Sequence, residues 1–257
     1  MSPQALQAVR EDIAKERVLG RIAGPFARPP GKMKVSPIGA VQKDSSQFRR
    51  IHDLSFPKSG GSVNEGVTKI DFSYQSFDVL AGLIRTAGVG TRLIRMDVKA
   101  AFRQLPLHPL AYWLFGLQLD GKYYIDTRVP FGLSSSCAIF DRFGDALQFI
   151  MQKEFTEVEW WRYADDMVMV LHPQHQHEGL VEQVAEWWVK LGVEESKSKR
   201  EGPTTNLKVL GLQIDTVDMS VSLPATKVAT LRTLLHKFLQ QRMCTRHSMQ
   251  VLLGHLH

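Results

Sequence analysis

The stretch WWRYADDMVMV, Trp160 to Val170, sets two carboxylates, Asp165 and Asp166, side by side between apolar runs. "VEWWRY" before them and "MVMVL" after them have the length and the aromatic and β-branched content of strands. Neighbouring side chains on a straight strand point to opposite faces, so the two aspartates would diverge. A tight hairpin turn resolves this, because aspartate tolerates turn geometry and both carboxylates can lie at the tip. A bare Asp-Asp pair is usually a solvated turn. Trp160, Trp161, Tyr163 and the run Met167 to Leu171 argue instead for a hairpin set into the body of the fold.

A third carboxylate, Asp97, ends another apolar strand, "RLIRMDV" (Arg92 to Val98). Three carboxylates converging within about 4 Å would repel by roughly 4 kcal/mol per pair at an effective dielectric of about 20. A divalent cation relieves such crowding, and an oxygen-only donor set favours magnesium. Two ions roughly 3.5–4 Å apart can activate an attacking hydroxyl and stabilise a departing pyrophosphate. That is the chemistry of nucleotidyl transfer.

The rest of the chain fits a large α+β unit. Its 257 residues suffice for a sizeable core, and the net charge of +6 suits a nucleic-acid partner without singling one out. Cys137 and Cys244 are too few for a disulfide framework or a zinc cage, so both are expected as reduced thiols in an intracellular protein. The charged N-terminus does not read as a signal peptide, and no apolar run has membrane-spanning length.

Ser2-Pro3 opens a helix carrying Leu6, Val9 and Ile13, and "GPFARPPGK" (Gly24 to Lys32) comes next as loop or extended chain. "MKVSPIGAVQKDSSQFRRIHDLS" reads as two strands turning at Asp44-Ser45-Ser46. "QSFDVLAGLIRTAG" is an amphipathic helix ending near Gly88, and "WLFGLQLDGKYYIDTRV" is a hairpin turning at Asp120-Gly121. Ser134, Ser135 or Ser136 caps a long helix before the aspartate hairpin, and "GLVEQVAEWWVKLG" forms another after it. "LKVLGLQID" and "MSVSL" are a final pair of strands, and the pattern is helical from Pro224 onward.

Four motifs in this order resemble those of reverse transcriptases. "YADD" resembles the Tyr-x-Asp-Asp motif, and "MDVKAAFRQLPLHP" the upstream metal-binding motif. "VPFGLSSSCAIF" is similar to the Pro-Phe-Gly-Leu motif of the nucleotide pocket, and "LKVLGLQID" to the Leu-Gly motif that grips the primer. "RRIHDLS", "SVNEG", "KREGPTTNLKVLGLQIDT" and "LLGHL" resemble retroelement enzymes, particularly the DIRS-like retrotransposons. That group pairs its polymerase with a ribonuclease H region and a tyrosine recombinase; neither lies in this chain, which would then be a fragment or isolated domain.

The resemblance implies a right-hand polymerase fold. Fingers would span 1–72 and 105–138, palm 73–104 and 139–222 with an antiparallel sheet and helices on one face, and 223–257 would begin a thumb. It implies RNA-directed DNA synthesis from deoxynucleoside triphosphates on an RNA or DNA template with primer, using two Mg2+ ions, with Mn2+ as the alternative. Asp97, Asp165 and Asp166 would hold the metals with the backbone carbonyl of Val98. Phe102 falls where the family places an aromatic gate against the 2′-hydroxyl; its bland reading is a core phenylalanine. Arg49 and Lys43 would meet the triphosphate, although a solvated strand face competes for Arg49. Phe131, Gly132 and Tyr163 would shape the nucleotide pocket, and Leu210 and Gly211 would grip the primer. Lys199 best matches the lysine that protonates pyrophosphate, with Lys197 as its near rival. Cys137 stands where the family often has proline.

His172, His175 and His177 lie in a turn without a cysteine partner and read as a solvent loop, and Trp187-Trp188 as helix packing. Lys227, Arg232, Lys237, Arg242 and Arg246 lean toward a phosphate-facing surface. An RNA-dependent RNA polymerase and a non-catalytic nucleic-acid-binding remnant are the rival readings. Phe102 speaks against the first and the intact aspartates against the second.

Overall fold

The structure, a computed structural model, describes residues 1–42, 48–175, 178–241 and 243–256. In chain order the elements are α1 (Pro3–Val18), β1 (Ile22–Phe26), β2 (Ile38–Gln42), β3 (Phe48–His52) and α2 (Phe77–Ala87). Next come β4 (Arg92–Asp97), β5 (Gly116–Leu119), β6 (Lys122–Asp126), α3 (Ser136–Glu154), β7 (Val158–Tyr163) and β8 (Asp166–Leu171). The last are α4 (Leu180–Lys190), β9 (Glu201–Thr204), β10 (Asn206–Val209), β11 (Leu212–Asp215), β12 (Ser220–Ser222), α5 (Ala225–Leu239) and α6 (Arg246–Leu256).

The central sheet is antiparallel in the order β7-β8-β4-β9. β4, β7 and β8 are largely apolar on both sides because both faces are covered. Met96, Met167 and Met169 pack against Leu147 and Met151 of α3 and Val184 and Trp188 of α4. Leu93, Val168, Val170 and Trp161 pack on the other side against Leu80 and Ile84 of α2 and Leu207, Val209 and Ile214 of β10 and β11. Each such side chain taken fully out of water contributes about 1.5–3 kcal/mol. The sequence places helices on one face; the second face also carries α2 and a small sheet, β10-β11-β12.

Two further sheets flank this body, β1-β6-β5 and the hairpin β2-β3. The β5–β6 turn is Asp120-Gly121, both at positive φ (48° and 71°), as its two-residue hairpin requires. Ser2 caps α1, accepting a hydrogen bond from the Ala5 N–H at 3.2 Å. Ser135 stands at the N-cap of α3 without a side-chain bond, and the Ser136 hydroxyl donates to the Pro130 carbonyl.

Several expected boundaries move. Ile22–Phe26 is a strand because β6 offers a partner edge, although "GPF" reads as a break. "EGPT", given no element from the sequence, is β9, and "LKVLGLQID" is itself a hairpin, β10–β11, rather than one strand. Trp113 and Leu114 belong to a 3₁₀ turn that precedes β5. Lys43 and the Asp44-Ser45-Ser46 turn, with His177 and Arg242, lie outside the described residues.

Candidate active site

Strand register builds the centre. On β4 and β8, Asp97 stands directly opposite Asp166, and on β7 Tyr163 stands opposite the same residue. Opposed residues share a face of the sheet, so Asp97 and Asp166 are neighbours although far apart in sequence. Ala164-Asp165 is the turn, with Ala164 at φ 50°; Asp166 opens β8 rather than sharing the tip with Asp165. The Val98 N–H donates to the Asp165 carbonyl at 2.9 Å and ties the turn to the end of β4.

Burial dominates the electrostatics here, and the neighbouring acids add to it. Asp97 is buried, and burial raises its pKa, with Asp165 adding to the rise and Lys199 opposing it. Burial likewise pushes Asp166 up to about 6, against the pull of Arg95 and with help from Asp165 and Asp97. Lys199 Nζ donates to Asp97 Oδ1 at 2.6 Å. The segment carrying Lys199 is fixed by the Ser196 N–H donating to the Asp97 carbonyl and by a bridge between Val98 and Glu195. Of the two lysines left open by the sequence, Lys199 meets Asp97; Lys197 lines a neighbouring hollow with Lys99 and Glu186.

A cleft of about 660 Å³ opens beside these carboxylates. Asp97, Val98, Asp165, Lys199, Arg49, Phe102 and Phe131 all line it. The Phe102 ring lies 5.1 Å from that of Phe131 and 5.8 Å from that of Phe140. The Arg49 guanidinium sits over the Phe131 ring at 4.7 Å, a cation–π contact that aims an exposed arginine into the cleft. Gly132 has φ 120°, and the His52 N–H donates to the Phe131 carbonyl at 2.9 Å. Asn64 clamps the same loop, donating to the Gly132 carbonyl and accepting from the Ser134 N–H, both at 2.8 Å.

Other expected site residues fall elsewhere. Tyr163 does not line the cleft; its ring lies 4.7 Å from Tyr74 and 6.2 Å from Trp161, so aromatic packing holds it beside the hairpin. Leu210 and Gly211 form the tip of the β10–β11 hairpin at φ 49° and 76°, away from the cleft lining. Lys43 lies outside the described residues. Among the described residues no three His, Cys, Asp or Glu side chains close on a common point. No described helix is long and apolar enough to cross a membrane.

Sequence reading missed Asp12, Lys15 and Glu16 of α1 and Arg50 and Arg103, all of which also line the cleft. One signal was present: Asp12 and Glu16 sit at helical spacing on the same stripe as Val9 and Ile13.

The reverse transcriptase (RNA-dependent DNA polymerase) family matches residues 34–214, most of the chain. This protein belongs to that family. Protein P of duck hepatitis B virus (strain Germany/DHBV-3) is 28% identical over 217 residues, 83% of this chain and 26% of that protein. The Pro-Pol polyprotein of simian foamy virus type 1 is 24% identical over 210 residues, 82% of this chain and 16% of the polyprotein. The chain therefore spans about a quarter or less of these curated relatives. A foamy viral protease-reverse transcriptase solved with double-stranded DNA superposes with a TM-score of 0.75 at 18% identity, covering 99% of this chain and 40% of that one. The same enzyme with an RNA/DNA hybrid also gives 0.75, covering 99% and 31%. At that identity the likeness is one of fold, the α+β fingers and palm of a reverse transcriptase.

Proposed function

We propose that this chain is the polymerase core of a retroelement reverse transcriptase, adding deoxynucleotides to a primer 3′-hydroxyl on an RNA template. The observation that carries the reading is the pairing of Asp97 with Asp166 beside a cleft shared by Asp165, Lys199, Phe102 and Arg49.

The donor chemistry fits a divalent cation, although among the described residues the three carboxylates do not close on one point. Asp97, Asp165, Asp166 and the Val98 carbonyl are hard oxygen donors, and burial first, then the neighbouring carboxylates, raise the pKa values of Asp97 and Asp166, a cost of charge that a cation would relieve. Bound Mg2+, with Mn2+ as the alternative, supplies Lewis acidity toward the primer hydroxyl and the departing pyrophosphate. The chain itself does the rest. Arg49 presents a fork of N–H donors to the triphosphate, and Phe102 excludes a 2′-hydroxyl. Lys199 carries the proton for the pyrophosphate.

The division into fingers (1–72, 105–138), palm (73–104, 139–222) and thumb (from 223) is part of this proposal. In it Leu210-Gly211 meets the primer end, and Lys227, Arg232, Lys237 and Arg246 face duplex phosphates. The foamy viral neighbours, held with double-stranded DNA and RNA/DNA hybrid, support a duplex partner. A DIRS-like origin, with ribonuclease H and recombinase regions in the parent element, rests on the wording of "RRIHDLS" and "SVNEG". Those segments supply His52 and Asn64, which hold the Phe131-Gly132 loop.

Primer extension on an RNA template tests the reading. The wild type should add deoxynucleotides, and Asp165→Asn should abolish addition while keeping primer–template binding, which basic contacts to phosphate dominate. Faster use of ribonucleotides would make the chain an RNA polymerase, and binding without extension by the wild type would make it a remnant.

A further inference from the structure

Helix α1 precedes the residues matched to the family, yet it reaches the floor of the nucleotide cleft through two carboxylates one turn apart. Glu16 Oε2 accepts from Arg103 Nε at 2.7 Å, and Asp12 Oδ2 accepts from Arg50 Nε at 2.7 Å. Asp126, at the end of β6 and fully buried, stands between the two arginines. Its Oδ1 lies 2.6 Å from Arg103 Nη1 and its Oδ2 3.4 Å from Arg50 Nη1. The Arg103 and Arg50 side chains are each only 6% exposed, so each guanidinium is held in one place by two carboxylates.

Each clamped arginine adjoins a residue of the cleft. Arg103 is next to Phe102, the ring against Phe131, and Arg50 is next to Arg49, the guanidinium over that same ring. Adjacent residues on one short turn or strand cannot move independently. Arg103 also donates to the Arg128 carbonyl at 3.1 Å, joining the Phe102 turn to the chain just before the Phe131 loop. A second arm runs from Glu16 through Arg21 to Glu194, near the segment that carries Lys199.

We propose that α1 is part of the nucleotide-selection apparatus, with Glu16 positioning the Phe102 gate through Arg103 and Asp12 positioning Arg49 through Arg50. The inference rests on the polymerase reading above. It assigns the two carboxylates separable effects. Glu16 governs discrimination at the sugar, and Asp12 governs engagement of the triphosphate. Neither touches substrate; both act through an arginine, which makes them positioning residues.

The test is single-nucleotide incorporation by the full chain with matched deoxy- and ribonucleotides, active sites being counted by burst amplitude. Glu16→Gln keeps the side-chain shape and removes the charge. Its preference for deoxynucleotides should fall roughly threefold to thirtyfold, the range typical of positions acting through a neighbour. Arg103→Lys, which keeps charge but loses the fork, should lower the same ratio and serves if Glu16→Gln does not fold. Asp12→Asn, at a half-exposed position, should raise the deoxynucleotide KM by a similar factor while leaving the sugar preference within about twofold. A folded variant set in which only kcat falls, equally for both sugars, would give α1 a merely structural role and overturn the proposal. Failure of the wild type to extend at all would instead strike the polymerase reading, since the proposal concerns ratios among active proteins.

Discussion

Gly132 and the His52 carbonyl are in such close contact that a β-carbon on Gly132 would lie 1.9 Å from that oxygen. The contact locks the strand bearing Arg49 to the loop bearing Phe131, because the His52 N–H also bonds the Phe131 carbonyl. The glycine is required twice, by the approach and by its φ of 120°. Gly132→Ala should therefore cost about 2–5 kcal/mol, combining backbone strain with overpacking. Urea denaturation measures it, and deoxynucleotide KM should rise in whatever fraction folds. A stability within about 1 kcal/mol of wild type, on the scale of an ordinary surface change, would refute the lock.

Behind the aspartate turn, Arg162 is buried and donates from Nη2 to Asp141 Oδ1 at 2.7 Å and to Asp145 Oδ1 at 2.6 Å. Its Nη1 reaches the Ala164 carbonyl at 3.3 Å, one residue before Asp165. A β-carbon at position 144 would stand 2.6 Å from the guanidinium, so Gly144 makes room for it. Arg162→Met leaves Asp141 buried without its partner and should cost about 3–5 kcal/mol. Asp145 is largely exposed and contributes little. Adding Asp141→Asn should recover part of the loss, which a double-mutant cycle reads directly. Strict additivity would show that the pair is not coupled.

The Asp165-Asp166 hairpin was legible because its signal is local: apolar strands, a turn, and two carboxylates that make no sense in a core without a ligand. Asp97 was legible as a carboxylate ending an apolar strand, but Phe102 and Phe131 only through motif resemblance, since nothing in their own neighbourhoods fixes their convergence. The register that sets Asp97 opposite Asp166 joins strands whose pairing depends on the whole sheet. β1 and β9 escaped for the same reason, each being a short irregular segment made into a strand by an edge elsewhere in the chain. The α1 carboxylates escaped because acidic residues beside an apolar stripe usually meet solvent, and their arginines lie 38 and 87 residues away.

His52 gives a pH signature. Burial pushes its imidazole down from 6.5 to about 4, with Arg50 and Arg103 adding to the fall and Asp126 opposing it. Between those values the unfolded chain holds the extra proton, so stability falls on acidification through this window. The full difference is about 3 kcal/mol, reached below pH 4. Asp166, raised to about 6, works in the opposite sense, its folded form taking up a proton first. The clean measurement is the stability difference between wild type and His52→Gln, which keeps a donor for the Gly116 carbonyl. That difference should shift against the wild type from pH 7 to pH 4. A difference independent of pH would mean that His52 is solvated and titrates normally.

The proposed choice of DNA over RNA synthesis is tested at Phe102. Its ring lines the cleft shared by Asp97 and Asp165 and is braced by Phe131 and Phe140. A braced ring cannot swing aside for a 2′-hydroxyl, whereas an isolated one could. Phe102→Val removes the obstruction and should relax the preference for deoxynucleotides mainly by speeding ribonucleotide use, because exclusion acts against the hydroxyl rather than for its absence. Deoxynucleotide use should fall only modestly, through looser placement of the reacting phosphate. The two effects are separated by kcat/KM for matched pairs on one primer–template. The cavity left between Phe131 and Phe140 should also lower stability by about 1–3 kcal/mol, as for other large-to-small changes at partly buried sites. A stability loss with an unchanged sugar ratio would make Phe102 a core residue alone, and the RNA polymerase reading would return.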